Sequence, residues 1–503
     1  MTPQFEHFTI AKPAPLPAAT ILRLALQRES VRFCHWKSNH HLAEALAGKT
    51  DIDLFVAPAD QAAFARVAVE TGALKILSQP WGRYPNVEDW LLLDEATGNF
   101  LHLHVHYALM TGLKRVKHLQ IPWENALLSH LRNDLSSDWP IPSAEMELLI
   151  LLVRIWAKMP PWRRFVSPEI PSHIAKELDW LRHDANPEEL IALSRELKLC
   201  IDQSSLLKLL KNEPAPSDDI IRVARELNRN MRTQYRMPWL VALAIAAVLN
   251  VRLMFAKAGR RMGRASQLGK TLPGGSMMIA FVGSDGSGKS TLTRDVQKWL
   301  RYKLDAHTFY MGSGDGGAGL FDILRRGIKG FVKSAGSRKK GSGGRNSKKT
   351  REANFFSKLV QLHQLVVMRH KLRLLRLARR MLKKGSVVIT DRYPQGQFYG
   401  ISDGPKLQDG RSFLWAARAE LKLYEEASRL GPDLLLKLSI DPHTAHRRKP
   451  DHNLSVIERK CAIIDQLSFP QSRVVVIDAH QPYGDVLLRT KRTIWSALRR
   501  NQT

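Results

Sequence analysis

Residues Gly283 to Thr291 read Gly-Ser-Asp-Gly-Ser-Gly-Lys-Ser-Thr, the most specific chemical pattern in the chain. In Gly-x4-Gly-Lys-Ser the glycines let the backbone curl, so that successive N–H groups and the positive end of the following helix surround a phosphate chain. The expected contacts are Gly283, Ser284, Asp285, Gly286, Ser287, Gly288, Lys289, Ser290 and Thr291. Lys289 adds a mobile charge between the outer phosphates, and Ser290 offers a hydroxyl to Mg2+. A second group stands about a hundred residues on, where Val387 to Thr390 run into Asp391-Arg392-Tyr393. In a parallel sheet the strand C-termini converge on the phosphate loop, which would bring Asp391 beside the metal and Arg392 beside the phosphates.

These residues need a sheet to position them. The apolar run Met277 to Val282 reads as a buried parallel strand and Leu292 to Leu300 as the helix after the loop. Further strands are expected at Ala306 to Met311, Pro432 to Ile440 and Arg473 to Asp478. The helix after Asp441-Pro442 carries Arg447, Arg448 and Lys449. Between these strands lies a basic segment, Arg325 to Lys384, with 20 Lys or Arg and one acid, Glu352. Its centre, Ser337 to Thr350, is Lys/Arg with Gly/Ser and is expected to stay mobile. Its second half, Phe355 to Lys384, spaces Leu359, Leu362, Val366, Leu372, Leu375 and Leu382 for one helix face.

With Asp285 inside the phosphate loop, Asp391-Arg392-Tyr393, Asp441-Pro442 with Ala445 and Arg448, and Ile477-Asp478-Ala479, this region resembles the thymidylate kinase family of nucleoside monophosphate kinases. The resemblance implies that residues 283 to 291 hold ATP and that Asp285 faces the acceptor. It further implies that Arg392 clamps the acceptor's phosphate and that Arg447 and Arg448 close over the transferring phosphoryl group. Lys289, Asp391, Arg392, Arg447 and Arg448 would then be the catalytic set, with Ser290 and Asp391 at Mg2+. The departures concern the acceptor: Pro394-Gln395-Gly396-Gln397 replaces the residues that line the family's thymine pocket, and the turn after Met311 lacks Arg-Glu-Pro. Ser402-Asp403-Gly404-Pro405 could line a different acceptor pocket.

Towards the N-terminus, Asp51 and Asp53 stand two apart on a strand in the stretch Gly48 to Val56 and point the same way, a pairing that can grip one metal ion. A helix from Ala18 to Gln27 and the turn Trp36-Lys37-Ser38 precede them, and residues 18 to 125 are similar to the nucleotidyltransferase superfamily. That superfamily carries a third acid on a neighbouring strand. Here a hairpin of Val87–Leu93 and Phe100–His106 is expected, with His102, His104 and His106 on the second strand.

From Ser143 the texture turns helical, with starts at Ser143, at Asn186-Pro187 and at Ser217. Trp239 to Leu249 is an unbroken apolar run of eleven residues, short of the roughly 20 that span a bilayer. It reads as a buried core helix leading into a basic linker, the alternative being a helix lying on an anionic membrane.

The expected organisation is therefore α/β in three parts. They are a nucleotidyltransferase-like domain at 1–135, an all-helical domain at 140–263 and, after a linker at 264–275, a phosphate-loop α/β/α domain with a parallel sheet at 276–503. A length of 503 residues supports such a number of cores. Three cysteines far apart (Cys34, Cys200, Cys461) exclude a disulfide framework and fit a reducing cytosol, as does an N-terminus without a secretory pattern.

The chain has 77 Lys and Arg against 47 acids, a net +30. Such a balance suits an anionic partner: a phosphorylated small-molecule acceptor, a membrane surface at the basic segment with the protein peripheral to it, or, less well, nucleic acid. The functional expectation is an Mg-ATP-dependent kinase acting on a nucleotide-like or other phosphorylated acceptor. Two alternatives are an ATP-binding switch that docks through its basic segment and a polyphosphate-using kinase.

Overall fold

The computed structural model describes residues 13–159, 170–211, 216–262, 266–274, 276–311, 346–407 and 413–502, and for 346–357, 359 and 360 the backbone alone. Two compact units follow one another, Met1–Met262 and Gly263–Thr503. The turn expected after Met311 and residues 325–345 of the basic segment lie outside the described residues.

The first unit is built on strands β1 (Phe33–His35), β2 (Ile52–Val56), β3 (Leu74–Ile76), β4 (Val87–Leu93) and β5 (Phe100–His106), in the order β1-β2-β5-β4-β3. β4 and β5 form the hairpin read from the sequence, and β2 lies parallel to β5 with Asp53 opposite His104. Two small antiparallel ribbons follow, β6 (Leu109–Thr111) with β7 (Leu119–Ile121) and β8 (Leu131–Asn133) with β9 (Pro140–Pro142). Helices α1 (Pro17–Arg28), α2 (Leu42–Leu46), α3 (Gln61–Glu70) and α4 (Glu124–Ser129) accompany this sheet. The helical part comprises α5 (Ala144–Lys158), α6 (Ser172–Asp184), α7 (Pro187–Glu196), α8 (Gln203–Lys211), α9 (Ser217–Asn230) and α10 (Trp239–Arg261). The Ser143 hydroxyl caps α5 by accepting from Met146 N, and the Asn186 side chain caps α7 by accepting from Glu188 N and Glu189 N.

Two expectations change here. Domains 1–135 and 140–263 are not separate compact units, because Cys34, Trp36 and Phe55 of the sheet share one apolar core with α5, α6 and α9. Nor is α10 a buried core helix. It runs 23 residues, twice the apolar run seen in the sequence, and its most apolar 18-residue stretch is 11% buried. Lys and Arg are good helix formers, so the basic residues after Leu249 extend the helix.

The second unit carries a five-stranded, all-parallel sheet in the order β11-β12-β10-β13-β14, with β10 (Met278–Gly283) central among β11 (Ala306–Phe309), β12 (Val387–Thr390), β13 (Leu434–Ser439) and β14 (Arg473–Asp478). The helices are α11 (Lys289–Leu300), α12 (Asn346–Leu382), α13 (Leu414–Arg429), α14 (Pro442–Arg448), α15 (Leu454–Gln466) and α16 (Tyr483–Arg500). The central strands are buried on both faces and accordingly read as continuous apolar runs.

Residues 266–274 of the expected linker pack on this unit. Leu268 and Gly269 donate their N–H groups to Asp305 Oδ1 at 3.2 and 3.1 Å, Lys270 bridges to Leu304, and Leu272 is buried. Helix α12 begins at Asn346, inside the stretch expected to be mobile; once a helix has nucleated, each added residue gains a hydrogen bond. Its buried stripe is Leu365, Met368, Leu372, Leu375, Ala378 and Met381, whereas Leu362, assigned to that face from the sequence, is exposed. An apolar residue on each of two adjacent rows left the choice of row to the sheet it packs on.

Candidate functional site

The loop between β10 and α11 has the strand–loop–helix form that its glycines require. Gly286 and Gly288 both sit at φ +85°, where a side chain is strained. A Cβ at Gly286 would stand 2.3 Å from the Ala445 carbonyl oxygen of α14, and one at Gly283 would stand 2.6 Å from Ser287 Oγ. The loop is thus held against its neighbours by the absence of side chains. Lys289, buried at the start of α11, donates from Nζ to the carbonyls of Gly283 and Ser284 at 2.7 and 2.6 Å. Burial, and then the nearby Arg392 guanidinium, push its pKa down to about 8. Ser290 and Thr291 are exposed on the first turn of the same helix.

Asp391 follows β12 directly, so the register of β12 beside β10 delivers it to the loop's edge of the sheet. Its Oδ1 accepts from Met311 N at 2.9 Å, and burial raises its pKa. Arg392 turns into a cleft lined by Gly283, Asp285, Lys289, Asp403 and Lys460. A second cleft shares Arg392, Asp403 and Lys460 and adds Lys371 from α12. Asp285 takes the Lys460 ammonium, with Arg392 Nη2 at 4.0 Å and His452 Nδ1 at 3.7 Å. Burial alone would raise its pKa, but the Lys460 hydrogen bond and charge prevail and hold it below the usual carboxylate value. Asp403, at φ +63°, bridges Lys371 (2.9 Å) and Arg392 (3.5 Å). Next to it the Gln395 amide donates to the Phe398 and Ile401 carbonyls, and Gly404 is so close to Phe398 O that no Cβ would fit.

The structure therefore brings together Lys289, Asp285, Asp391 and Arg392, all singled out in the sequence, with Asp403 from the stretch expected to line an acceptor pocket. It does not bring Arg447 and Arg448 there. Arg447 Nη2 donates to Thr444 Oγ1, Arg448 Nη1 donates to the Ala479 carbonyl, and neither lines the clefts. Helix α14 ends at Arg448, and the two side chains are engaged by their own helix and by the residue that follows β14. Lys371 and Lys460 supply the charge instead. No motif marks either one; the one clue in the sequence was a lysine inside the apolar rhythm of α12.

In the first unit, Asp51 and Asp53 do not share a ligand position. Asp51 Oδ1 lies 2.9 Å from His102 Nδ1, and the Nε2 of that ring lies 3.1 Å from Asp89 Oδ1. Asp53 Oδ1 instead takes the Lys37 ammonium at 2.7 Å and stands 3.1 Å from His104 Nδ1 and 3.6 Å from His106 Nε2. Each carboxylate has found a different base on the face they share. The ligand atoms of Asp53, His104 and His106 lie within 4.8 Å of one another, and Lys37 sits on the same carboxylate as a built-in counterion. Asp53 is held well below the ordinary carboxylate pKa: burial works against this, and the Lys37 charge together with the His104 and His106 hydrogen bonds outweighs it. Burial pushes the His106 pKa well down.

Among known proteins, the chain is similar to two from Escherichia coli strain K12. "Uncharacterized ATP-binding protein YghR" is 30% identical over 224 residues, which are 43% of this chain and 86% of YghR. "Uncharacterized ATP-binding protein YghS" is 34% identical over 230 residues, 44% of this chain and 93% of YghS. No family model matches the chain. Among solved structures, a deoxyadenosine kinase from M. mycoides with dCMP and dCDP bound aligns over 44% of this chain and 100% of its own, at 14% identity and a TM-score of 0.27.

Proposed function

The chain belongs to the family of the Escherichia coli ATP-binding proteins YghR and YghS, and from that premise we propose that its second unit binds Mg-ATP and transfers a phosphoryl group to a phosphorylated small-molecule acceptor, in the manner of the thymidylate kinase-like enzymes it resembles. The matched length is close to that of the second unit. One observation carries the proposal: Lys289 of the phosphate loop and Arg392 line the same cleft, with Lys460 beside them and Lys371 in the adjoining cleft, so two anionic groups can be held side by side.

The residues fit the groups they would hold. A cradle of three glycines, two of them closed to any Cβ, suits the close approach of a phosphate chain to backbone N–H groups. Ser290 and Asp391 are hard oxygen donors of the kind Mg2+ prefers. When bound, the ion neutralises charge on the donor's phosphates. The remaining work belongs to the chain. Lys289 exchanges its two carbonyl partners for phosphate oxygens, which restores the charge that burial disfavours. Arg392 offers a planar fork that can hold two oxygens of the acceptor's phosphate, and Asp403 sets its orientation. Loose phosphoryl transfer needs little beyond such alignment and positive charge.

The test is an acceptor screen on the full chain with labelled ATP, covering nucleoside monophosphates and sugar phosphates. Polyphosphate serves as a competing donor. Expected are transfer to one acceptor class, loss of ATP binding in Lys289→Ala, and retained ATP binding with lost transfer in Arg392→Ala. No transfer to any acceptor, with Lys289→Ala binding ATP like the wild type, would overturn the proposal.

A further inference from the structure

Helix α10 presents an apolar face that the first unit does not cover. Val241, Ile245, Val248, Val251 and Phe255 recur at three- and four-residue intervals, and all are exposed, Val248 by 59% and Phe255 by 73%. The opposite face is the one that packs: Ala242 and Ala246 are buried against Leu113 and Val116. One turn further on, Asn250 Oδ1 accepts from Arg115 Nε at 2.6 Å. A soluble helix with this pattern would turn its large residues inward and leave Ala242 and Ala246 out. Here the order is reversed.

We propose that α10 lies in the surface of an anionic lipid bilayer, its Val241–Phe255 face sunk into the boundary between headgroups and acyl chains. Charge selects this occupant over a second protein copy. The helix contains no acid, and Arg252, Lys257, Arg260 and Arg261 crowd its last ten residues. Lys257, Arg260 and Arg261 project away from the apolar face, and Arg252 can extend its charged end to the headgroups. Trp239, 43% exposed, opens the helix where an amphipathic ring favours the interface. By length alone, about 35 Å, α10 could cross a bilayer. Its contact with the first unit opposes that, because the Arg115–Asn250 hydrogen bond sits at mid-helix and crossing would drag a guanidinium to the hydrocarbon centre. An in-plane helix keeps Arg115 on the wet side.

Sedimentation of the full chain with vesicles of phosphatidylcholine, with and without phosphatidylglycerol, tests this. Expected is binding to the phosphatidylglycerol vesicles, and at least about a tenfold loss of partitioning in Val248→Glu/Phe255→Glu. Both positions are exposed, so the double variant should fold, and ATP binding by the second unit serves as the control. Three results would overturn the proposal: no binding of the wild type to either vesicle, equal binding of the variant, which would assign the attraction to the basic segment of the second unit, or a concentration-dependent dimer in solution that the variant abolishes.

Discussion

The ammonium of Lys371 lies 2.9 Å from the carboxylate of Asp403, with both side chains at least nine-tenths buried. Because Asp403 also faces Arg392, one acid arranges two of the cations in the clefts beside the phosphate loop. Removing one partner of a buried pair strands the other, at a cost of about 3–5 kcal/mol. Asp403→Asn keeps the size and tolerates the left-handed backbone at this position, so it isolates the charge. We expect urea unfolding to show a loss in that range, and the double variant with Lys371→Met to recover most of it. A coupling energy near zero in that cycle would mean that the pair does not organise the site.

Gly286 and Gly288 share φ +85° but differ in surroundings. Gly288→Ala meets nothing within 4 Å and should cost about 1 kcal/mol of backbone strain. Gly286→Ala must also displace Ala445 O, so its melting temperature should fall further and its ATP affinity at least about tenfold. Equal effects of the two substitutions would show that the approach of α14 to the loop is unimportant.

Lys289, with its pKa at about 8, makes ATP binding pH-dependent. A triphosphate beside the ammonium raises that pKa, so binding takes up a proton wherever the free lysine is partly neutral. Affinity should fall as pH rises through about 8 and level off below about 7. Calorimetry in two buffers of different ionisation enthalpy reads the proton directly. No uptake at pH 8 would mean that Lys289 does not meet the phosphates.

Asp53→Asn leaves the buried Lys37 ammonium without its carboxylate, an expected loss of about 3–5 kcal/mol at neutral pH. The sign of the pH effect follows from the depressed pKa. The stabilisation from Asp53 is complete above the ordinary carboxylate value of 3.8 and is lost as pH falls through the lower folded value. The gap in stability between wild type and variant should therefore begin to close below pH 3.8 and close further in stronger acid, which thermal melts from pH 7 down to about 2 would show. A gap independent of pH would point to shape rather than charge.

How much of this was legible in advance depended on how local the signal was. The five strands of the second unit, the β4–β5 hairpin and the caps Ser143 and Asn186 are read from apolar runs and single residues, since these depend on neighbours a few positions away. The phosphate loop is likewise written in nine consecutive residues, because its glycines serve backbone angles that no other residue adopts cheaply. The placing of Asp391 and Arg392 beside it followed from one rule, that parallel strands end at a common edge.

Other features were open until the chain was folded. Lys371 and Lys460 come from helices remote in sequence, and a lysine on a helix looks the same whether it faces water or a cleft. Arg447 and Arg448 stand where the family resemblance implies closure over the phosphoryl group, but in the fold they bond Thr444 and the Ala479 carbonyl. The partners of Asp51 and Asp53 were chosen by which base each met across the sheet. The exposure of α10 is of the same kind. Composition determines that Trp239 to Leu249 is apolar, and only packing decides that Ala242 and Ala246, not the valines, meet the protein. Periodicity lists the faces of a helix, whereas burial depends on what the rest of the chain sets against them.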